Sequence, residues 1–328
     1  MGSDNLTATA DFILVGLTND RKTQILLFGI ILILYTFILV GNLWVIMLAQ
    51  VDSHLHTPMY FFLTHLSSLD ICYATSTIPQ MLAHLLMGRG RLSLIQCALQ
   101  MYTALALGSA EALLLGVMAY DRYLAICHPL TYAASMGRWH QVQLASACWG
   151  GGFCVSVVCI SLTFSHPYCD PCCINHFICE IPMVLKLACD DIHTTKAIIF
   201  LISGMIILVT FSVIMISYGL ILFSVFQMHS ASGLRKAFST CGSHLSVVIL
   251  FYGTTTLNYI LPPSGRSPDS DKQIAVLYVV VTPLLNPIIY TLRNKDVFAA
   301  MAKVLRKIGL CLKTLKASIG PKGHQLEL

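Results

Sequence analysis

The stretch Met118–Cys127, MAYDRYLAIC, places an acidic and a basic residue side by side at the end of a long apolar run. The run begins near Ser93 and contains one earlier charged residue, Glu111. About 20 apolar residues in a helix cross the hydrocarbon core of a bilayer, and this run is longer than that. The stretch therefore predicts a membrane-spanning helix with its acid-base pair, Asp121 and Arg122, at one membrane interface.

The composition extends this prediction to the whole chain. Hydrophobic residues make up 56% of the 328 positions and charged residues 11%, whereas an ordinary soluble domain carries about 25% charged residues. Because helices satisfy their own backbone hydrogen bonds in lipid, we expect an all-α membrane protein, a seven-transmembrane helix bundle in one domain over residues 1–310. The predicted spans are Ile25–Leu48, Pro58–Leu86, Ser93–Ile126, Val142–Phe164, Ala197–Phe226, Ala237–Leu261 and Gln273–Leu292.

Three features predict the orientation of the chain. The sequon at Asn5 is an acceptor for N-glycosylation if the N-terminus is outside. Five cysteines lie between Cys169 and Cys189 in the loop after the fourth span, and such a cluster suits an oxidising compartment. Lys and Arg are more numerous on the other side, mainly in the tail. We therefore expect a plasma-membrane protein with extracellular residues 1–24, glycosylated at Asn5, and a cytoplasmic tail, residues 311–328.

The segment after the seventh span has the pattern of an amphipathic helix. Between Asn294 and Leu310, apolar residues recur at helical spacing, and Lys303, Arg306 and Lys307 lie on another face. Such a basic amphipathic helix binds the lipid headgroups of the inner leaflet. We expect a short helix over residues 294–310 that lies on the membrane.

Asp70 and Glu111 are the ionisable residues placed deepest within the predicted spans. Acidic residues are expensive at this depth and usually mark function. Two carboxylates close together cannot both stay charged there, so we expect a proton or a sodium ion at a site formed by Asp70, Glu111 and Asn286. For Asn42, a hydrogen bond to a neighbouring helix is the simpler interpretation.

The pair Asp121–Arg122 can be interpreted as a functional switch or as an ordinary structural feature of a helix end. While the bundle is closed, Asp121 can neutralise Arg122, and separation of the inner helix ends would free the cation for a partner. The plain alternative is an arginine that extends its side chain toward the membrane surface.

Six motifs occur in a fixed order around these spans. They are LHTPMYFFL (55–63), LSSLD (66–70), MAYDRYLAICHPL (118–130), SY (217–218), KAFSTCGSHL (236–245) and PLLNPIIYTLRN (283–294). In this order the chain resembles the rhodopsin-like G-protein-coupled receptors and, more narrowly, the odorant receptors. The resemblance covers nearly the whole chain.

The resemblance implies a ligand pocket on the extracellular side and a surface that activates a heterotrimeric G protein, of the stimulatory olfactory type that raises cyclic AMP. It implies two disulfides, Cys97–Cys179 and Cys169–Cys189. The residues that the resemblance assigns to G-protein coupling and activation are Asp121, Arg122, Tyr123, Tyr218, Lys236 and Tyr290. The chain departs from the wider family in the sixth span, where Phe251-Tyr252-Gly253-Thr254 replaces the Trp-x-Pro turn.

By the same resemblance, the ligand lies between the outer halves of spans three, five, six and seven. No Asp, Glu, Lys or Arg is among the residues expected there, which favours a small neutral volatile molecule over a biogenic amine. For any single residue of the set, ordinary helix packing is an equally good explanation. The expected ligand-binding residues are Ala104, Leu105, Gly108, Ser109, Ala112, Ile202, Ser203, Ile206, Tyr252, Thr255, Thr256, Tyr259, Val276 and Val279.

The adjacent Cys172 and Cys173 leave two alternatives open. With His176 and neighbouring cysteines they are spaced like ligands of a soft metal ion. Structural bridges together with two free thiols are the alternative that we favour, since two of the other cysteines already belong to the implied disulfides.

Other functions are less consistent with the sequence. A transporter or channel would place acids at mid-membrane, but it predicts a continuous polar path and commonly repeated halves. An enzyme is not expected, because the chain contains no His-Glu-x-x-His, nucleophile elbow or phosphate-binding glycine loop. We expect a volatile odorant, a G protein and membrane lipid as partners, no nucleic acid, and no cofactor except the possible sodium ion.

Overall fold

The computed structural model describes residues 12–88, 90–168, 173–227, 241–242, 244–255, 268–293, 297–304 and 306. Within these residues the chain is mostly helical. The predictions that lie outside the described residues concern Asn5, Cys169, Cys172, Lys236, Thr256, Tyr259, the first 11 residues and the tail 311–328.

Among the described residues, five helices are long and apolar enough to cross a membrane. They are α1 (Arg21–Val51), α3 (Leu94–Cys127), α5 (Arg138–Thr163), α7 (His193–Gln227) and the segment Asp269–Tyr290. This last segment is formed by α9 (Pro268–Val276), a π turn (Leu277–Val281) and α10 (Thr282–Arg293). They correspond to the first, third, fourth, fifth and seventh predicted spans.

The other two predicted spans are helical where the structure describes them. The second forms α2 (Pro58–Met87), which packs between α1 and α3. Part of the sixth forms α8 (His244–Thr255). The count of seven spans stays a prediction.

Local sequence signals fix where these helices begin. The Asp20 carboxylate accepts a hydrogen bond from the Thr23 N–H at 2.9 Å and caps α1. At the start of α3, the Ser93 hydroxyl accepts from the Gln96 N–H at 3.2 Å, and the Gln96 side chain accepts from the Ser93 N–H at 3.0 Å. This reciprocal capping box satisfies donors that the first helical turn leaves free.

A small sheet covers one end of the bundle. Strand β1 (Phe12–Leu14) pairs antiparallel with β2 (Gly90–Leu92) and parallel with β3 (Cys173–Ile174). Phe12 and Leu14 are fully buried in the same apolar cluster as the Cys97–Cys179 disulfide. We call this the disulfide end of the bundle and call the opposite end, which carries Arg122, the Arg122 end.

The apolar surface is divided between the interior and the outside of the bundle. The main core lies where α2, α3, α7 and α8 meet. The helices α1 and α7 expose large side chains such as Ile33, Phe200 and Leu201, which are 58%, 63% and 63% exposed. Exposed apolar helix faces of this extent fit contact with lipid tails.

The helices α3 and α5 pack very closely. A Cβ atom added to Gly152 of α5 would lie 2.3 Å from the Ala106 carbonyl oxygen and 2.9 Å from the Ala110 nitrogen of α3. The Ser156 hydroxyl, one turn further, donates to the Tyr102 carbonyl of α3 at 2.7 Å. Small residues allow this backbone approach, which is typical of helix pairs in membranes.

After α10, residues 297–304 form a further helix, α11. Val297 and Ala300 pack into the main core, and Phe298 is exposed. The Lys303 ammonium lies 3.2 Å from the Asp52 carboxylate between α1 and α2. An amphipathic helix with the full bounds 294–310 stays a prediction.

We predict that Gly152→Ala lowers the thermal stability of the purified protein, because the added methyl group meets backbone atoms of α3 that cannot rotate away. Overpacking of this kind costs about 1–3 kcal/mol. The measurement is the melting temperature in detergent. Gly150→Ala is the matched control, since a Cβ there has nothing within 4 Å; equal melting temperatures for the two variants would contradict the prediction.

Candidate functional site

A cavity of about 150 Å³ lies at the disulfide end between α3, α7 and α8, beneath the loop that precedes α7. Its walls are mostly apolar, with several hydroxyl groups. The lining residues on the helices are Tyr73, Thr77, Gln100, Met101, Ala104, Leu105, Gly108, Ser109, Glu111, Ala112, Ser203, Ile206, Ile207, Phe251, Thr254, Thr255, Tyr278 and Thr282.

The cavity brings together the predicted ligand residues of α3 and some of those on α7 and α8. These residues are Ala104, Leu105, Gly108, Ser109, Ala112, Ser203, Ile206 and Thr255. Four predicted residues lie elsewhere. Ile202 packs against a separate apolar cluster around Cys159, and Val276 and Val279 pack toward α1 and α2. The Tyr252 hydroxyl donates to the Thr210 hydroxyl at 2.5 Å.

The loop above the cavity supplies residues that the sequence analysis missed. Ile178, Cys179, Glu180 and Ile181 line the cavity from above. The implied disulfide Cys97–Cys179 was the available signal, because it attaches this part of the loop to the first turn of α3. The disulfide is confirmed.

Gln100 holds the same loop by hydrogen bonds. Its side-chain oxygen accepts from the Cys179 N–H at 2.9 Å, and its side-chain nitrogen donates to the Gln80 side-chain oxygen at 3.0 Å. Gln100 lies one turn after Cys97, on the same face of α3. The loop is thus fixed to α3 by one covalent and one polar contact.

The remaining cysteines in this loop are only partly described. Cys189 is disulfide-bonded, and its implied partner Cys169 lies outside the described residues. Cys173 carries a free thiol. In the described part of the chain, no group of three or more His, Cys, Asp or Glu residues is arranged to hold a metal ion.

The expectation of a pocket without Asp, Glu, Lys or Arg is wrong, because Glu111 and Glu180 both line the cavity. Burial, together with the nearby Asp271 carboxylate, raises the pKa of the Glu180 carboxyl to about 8. Below that pH the group is mostly protonated. At neutral pH the outer part of the cavity is therefore largely uncharged although it contains an acid.

A polar centre lies below the cavity. The Asn286 side-chain nitrogen donates to both Asp70 carboxylate oxygens, at 3.1 and 3.0 Å. Within the described residues, the Asn286 oxygen Oδ1 and the Glu111 oxygen Oε1 are buried without a hydrogen-bond partner. The Asn42 amide donates to the Pro283 carbonyl at 3.1 Å, which confirms the predicted contact between helices.

At the Arg122 end, the predicted pairing of Asp121 with Arg122 is present. The Arg122 Nε donates to the fully buried Asp121 carboxylate at 3.1 Å, and a second guanidinium nitrogen donates to the same oxygen. The Tyr132 hydroxyl of the short helix α4 (Pro129–Ser135) donates to the other Asp121 oxygen at 2.8 Å. This third member of the cluster was not predicted.

The hydroxyl groups of the three tyrosines predicted at the Arg122 end differ in their hydrogen bonding. The Tyr218 hydroxyl forms a hydrogen bond of 2.5 Å with Nδ1 of His244 on α8. The Tyr123 hydroxyl contacts Nε2 of His128 at 2.9 Å. Tyr290 is fully buried, and its hydroxyl has no partner among the described residues.

Comparison with known proteins gives consistent matches over most of the chain. A family model described as "Olfactory receptor" matches residues 31–308. Olfactory receptor 5F1 of Homo sapiens is 43% identical over 307 residues, which cover 94% of this chain and 98% of that protein. Olfactory receptor 2T5 of Homo sapiens is 44% identical over 92% of this chain and 96% of its own length. Olfactory receptor 5P76 of Mus musculus is 44% identical, also over 92% of this chain and 96% of its own length.

We predict that Gln100→Leu destabilises the loop above the cavity, because it leaves the buried Cys179 N–H without an acceptor. An unsatisfied buried donor costs about 1–3 kcal/mol. The melting temperature of the purified protein tests this. Gln80→Leu, which removes only the other partner of Gln100, is the control and should lower the melting temperature less; a larger effect of Gln80→Leu would overturn the assignment.

Proposed function

This chain belongs to the olfactory receptor family of rhodopsin-like G-protein-coupled receptors, and we propose that it binds small neutral volatile molecules in the cavity at the disulfide end. It is a membrane receptor that senses odorants through a G protein and is not an enzyme. In our proposal the G protein is the stimulatory olfactory type, and its activation raises cyclic AMP.

The main support for this proposal is that one helix, α3, connects the cavity with the Asp121–Arg122 pair. The helix α3 lines the cavity with Ala104, Gly108 and Ser109 at one end and carries the Asp121–Arg122 pair at the other. A ligand that shifts α3 relative to α7 and α8 therefore acts on both sites.

We propose that the chain crosses the plasma membrane seven times, with α2 and α8 as the second and sixth spans. The disulfide end then faces the outside, where the bridge Cys97–Cys179 is stable. Residues 1–24 are extracellular with a glycan on Asn5, residues 294–310 form the amphipathic helix, and residues 311–328 are the cytoplasmic tail.

The cavity supports a small, mainly apolar ligand. A volume of about 150 Å³ is enough for a molecule about the size of a benzene ring. Ser109, Ser203 and Thr255 supply hydroxyl groups that can form one or two hydrogen bonds with an alcohol, ether or carbonyl group. Ile202, Tyr252, Thr256, Tyr259, Val276 and Val279 remain proposed members of a larger contact set.

We propose that activation exchanges the partners of Arg122. In the closed arrangement Asp121 neutralises Arg122, and Tyr132 completes the cluster. When the ends of α7 and α8 move apart, Arg122 becomes available to the G protein, with Tyr218 and Tyr290 as its new neighbours and Tyr123 and Lys236 at the same surface. A pair of this kind gives the receptor two states.

The polar centre fits a bound sodium ion. Asp70, Glu111 and Asn286 provide buried oxygens, and Oε1 of Glu111 and Oδ1 of Asn286 have no hydrogen-bond partner in the described structure. Such oxygens are ligands that a hard cation prefers. A sodium ion there would supply the positive charge that two neighbouring carboxyl groups need.

We predict that Gly108→Val weakens the response to odorants by about tenfold or more, equal to about 1.4 kcal/mol of binding free energy. The added side chain enters the cavity, since a Cβ at Gly108 meets nothing within 4 Å. The measurement is the half-maximal odorant concentration in a cyclic AMP reporter assay on a panel of volatiles. Gly204→Val on α7 is the control, because Gly204 also has free space but does not line the cavity; equal losses would contradict the assignment of the pocket.

We predict that Arg122→Ala abolishes odorant-stimulated cyclic AMP production while the receptor still reaches the cell surface, because the cation that contacts the G protein is lost. The assay compares the cyclic AMP response with surface staining of the same cells. Arg138→Ala is the control: this arginine lies at the same end, 4.6 Å from the centre of the Phe61 ring. Undiminished signalling by Arg122→Ala would refute its proposed role.

A further inference from the structure

The outer end of the cavity presents a carboxyl group that the protein itself does not use. Glu180 lines the cavity, and among the described residues nothing donates a hydrogen bond to its carboxyl or pairs with it as a cation. We propose that Glu180 makes the receptor a detector of small alkyl amines as well, with the Glu180 carboxylate binding the ammonium group of the ligand. This inference rests on the proposed function, since it takes the cavity to be the ligand pocket.

The backbone around Glu180 is firmly held. Cys179 is bonded to Cys97, and its N–H donates to Gln100. The Glu180 carbonyl accepts from the N–H groups of Met183 and Val184 at 3.0 and 2.9 Å and so starts the short helix α6 (Ile181–Leu185). Its side chain makes no capping contact with that helix. The backbone at Glu180 is therefore fixed, and its side chain is not committed to capping α6.

The cavity contains a second acid and no compensating base. Glu111 is 7% exposed and lines the deeper part of the cavity, and its Oε1 has no hydrogen-bond partner among the described residues. None of the described lining residues is Lys or Arg. Lys272, the buried cation at this end of the bundle, lies 3.9 Å from Asp269 and outside the lining. A cationic ligand would thus enter a pocket with two carboxyl groups and no repelling charge.

The acid strengths of the two groups decide where the proton lies in the complex. The pKa of Glu180 is about 8, and that of an alkyl ammonium group resembles the value of about 10.4 for lysine. The amine therefore keeps its proton, and the contact is an ammonium–carboxylate ion pair. Below pH 8 free Glu180 is mostly protonated, so binding of an ammonium ligand releases that proton to the solvent.

This proton release gives the amine response a pH dependence. Between about pH 6 and about pH 8, amine affinity should rise about tenfold for each pH unit and then level off. The charged group that acts on Glu180 is Asp271 on α9, Glu111 and Tyr278 line the same cavity, and His176 of the loop lies near Lys272. Burial lowers the pKa of His176 to about 4, so it stays neutral over this range. An alcohol exchanges no proton with Glu180 and should show a flat profile.

The experiment compares straight-chain alcohols and primary amines of matched length, from propanol and propylamine to octanol and octylamine, in a cyclic AMP assay on cells that express the full chain. At about pH 8 we expect Glu180→Gln to raise the half-maximal amine concentration by about tenfold or more and to change that of the alcohols by less than about threefold. Glu180→Asp should retain the amine response. Asp191→Asn is the matched control, because Asp191 is an exposed acid of the same loop whose contact with the His193 N–H asparagine can also make.

Two results would overturn the inference while the proposed function stands. One is a receptor that responds to alcohols but not to amines at any pH in this range. The other is an amine response that Glu180→Gln leaves unchanged or that does not rise with pH. A receptor that reaches the cell surface and responds to neither series contradicts the proposed function itself, and this inference with it.

Discussion

The high cost of an unpaired charge away from water determines where this receptor places its polar groups. A buried carboxylate or guanidinium must be paired, hydrogen-bonded or protonated, because the interior of a helical bundle cannot solvate it. At one end Asp121 satisfies Arg122, and in the middle Asn286 donates to Asp70. Two carboxyl groups that line the cavity are less fully satisfied: Oε1 of Glu111 has no hydrogen-bond partner, and Glu180 has no donor or cation among the described residues. In the proposed function this is where a ligand or ion binds.

The helix α3 connects these places because it packs on several sides. It contacts α2, α5 and α7 along its length, and the close approach at Gly152 holds it against α5. Its first turns bind the loop over the cavity through Cys97 and Gln100, and its last turns contain Arg122. Because α5 packs closely on one side of α3, the displacement that we propose for ligand binding acts on the contacts of α3 with α7 and α8.

Much of the fold could be predicted from the sequence, since long apolar runs have few alternatives to membrane helices. The helical face of α3 was also predictable, and Ala104 and Gly108 do line the cavity. The resemblance placed Val276 and Val279 of the last span at the ligand, but the π turn Leu277–Val281 changes which residues of that helix face inward. Tyr278 and Thr282 face the cavity there in place of Val276 and Val279. The role of Glu180 depends on the path of a loop, which no local pattern encodes.

The sheet at the disulfide end has a consequence for biosynthesis. Strand β1 precedes every helix, whereas its parallel partner β3 follows four long helices, α1, α2, α3 and α5. The N-terminal strand can pair with β2 once α2 has been made, but the sheet cannot be completed until more than half of the polypeptide has been synthesised. Until then Phe12 and Leu14, which the finished fold buries, lack part of the apolar cluster that covers them. Completion of the disulfide end thus requires contact between the earliest and the middle segments of the chain.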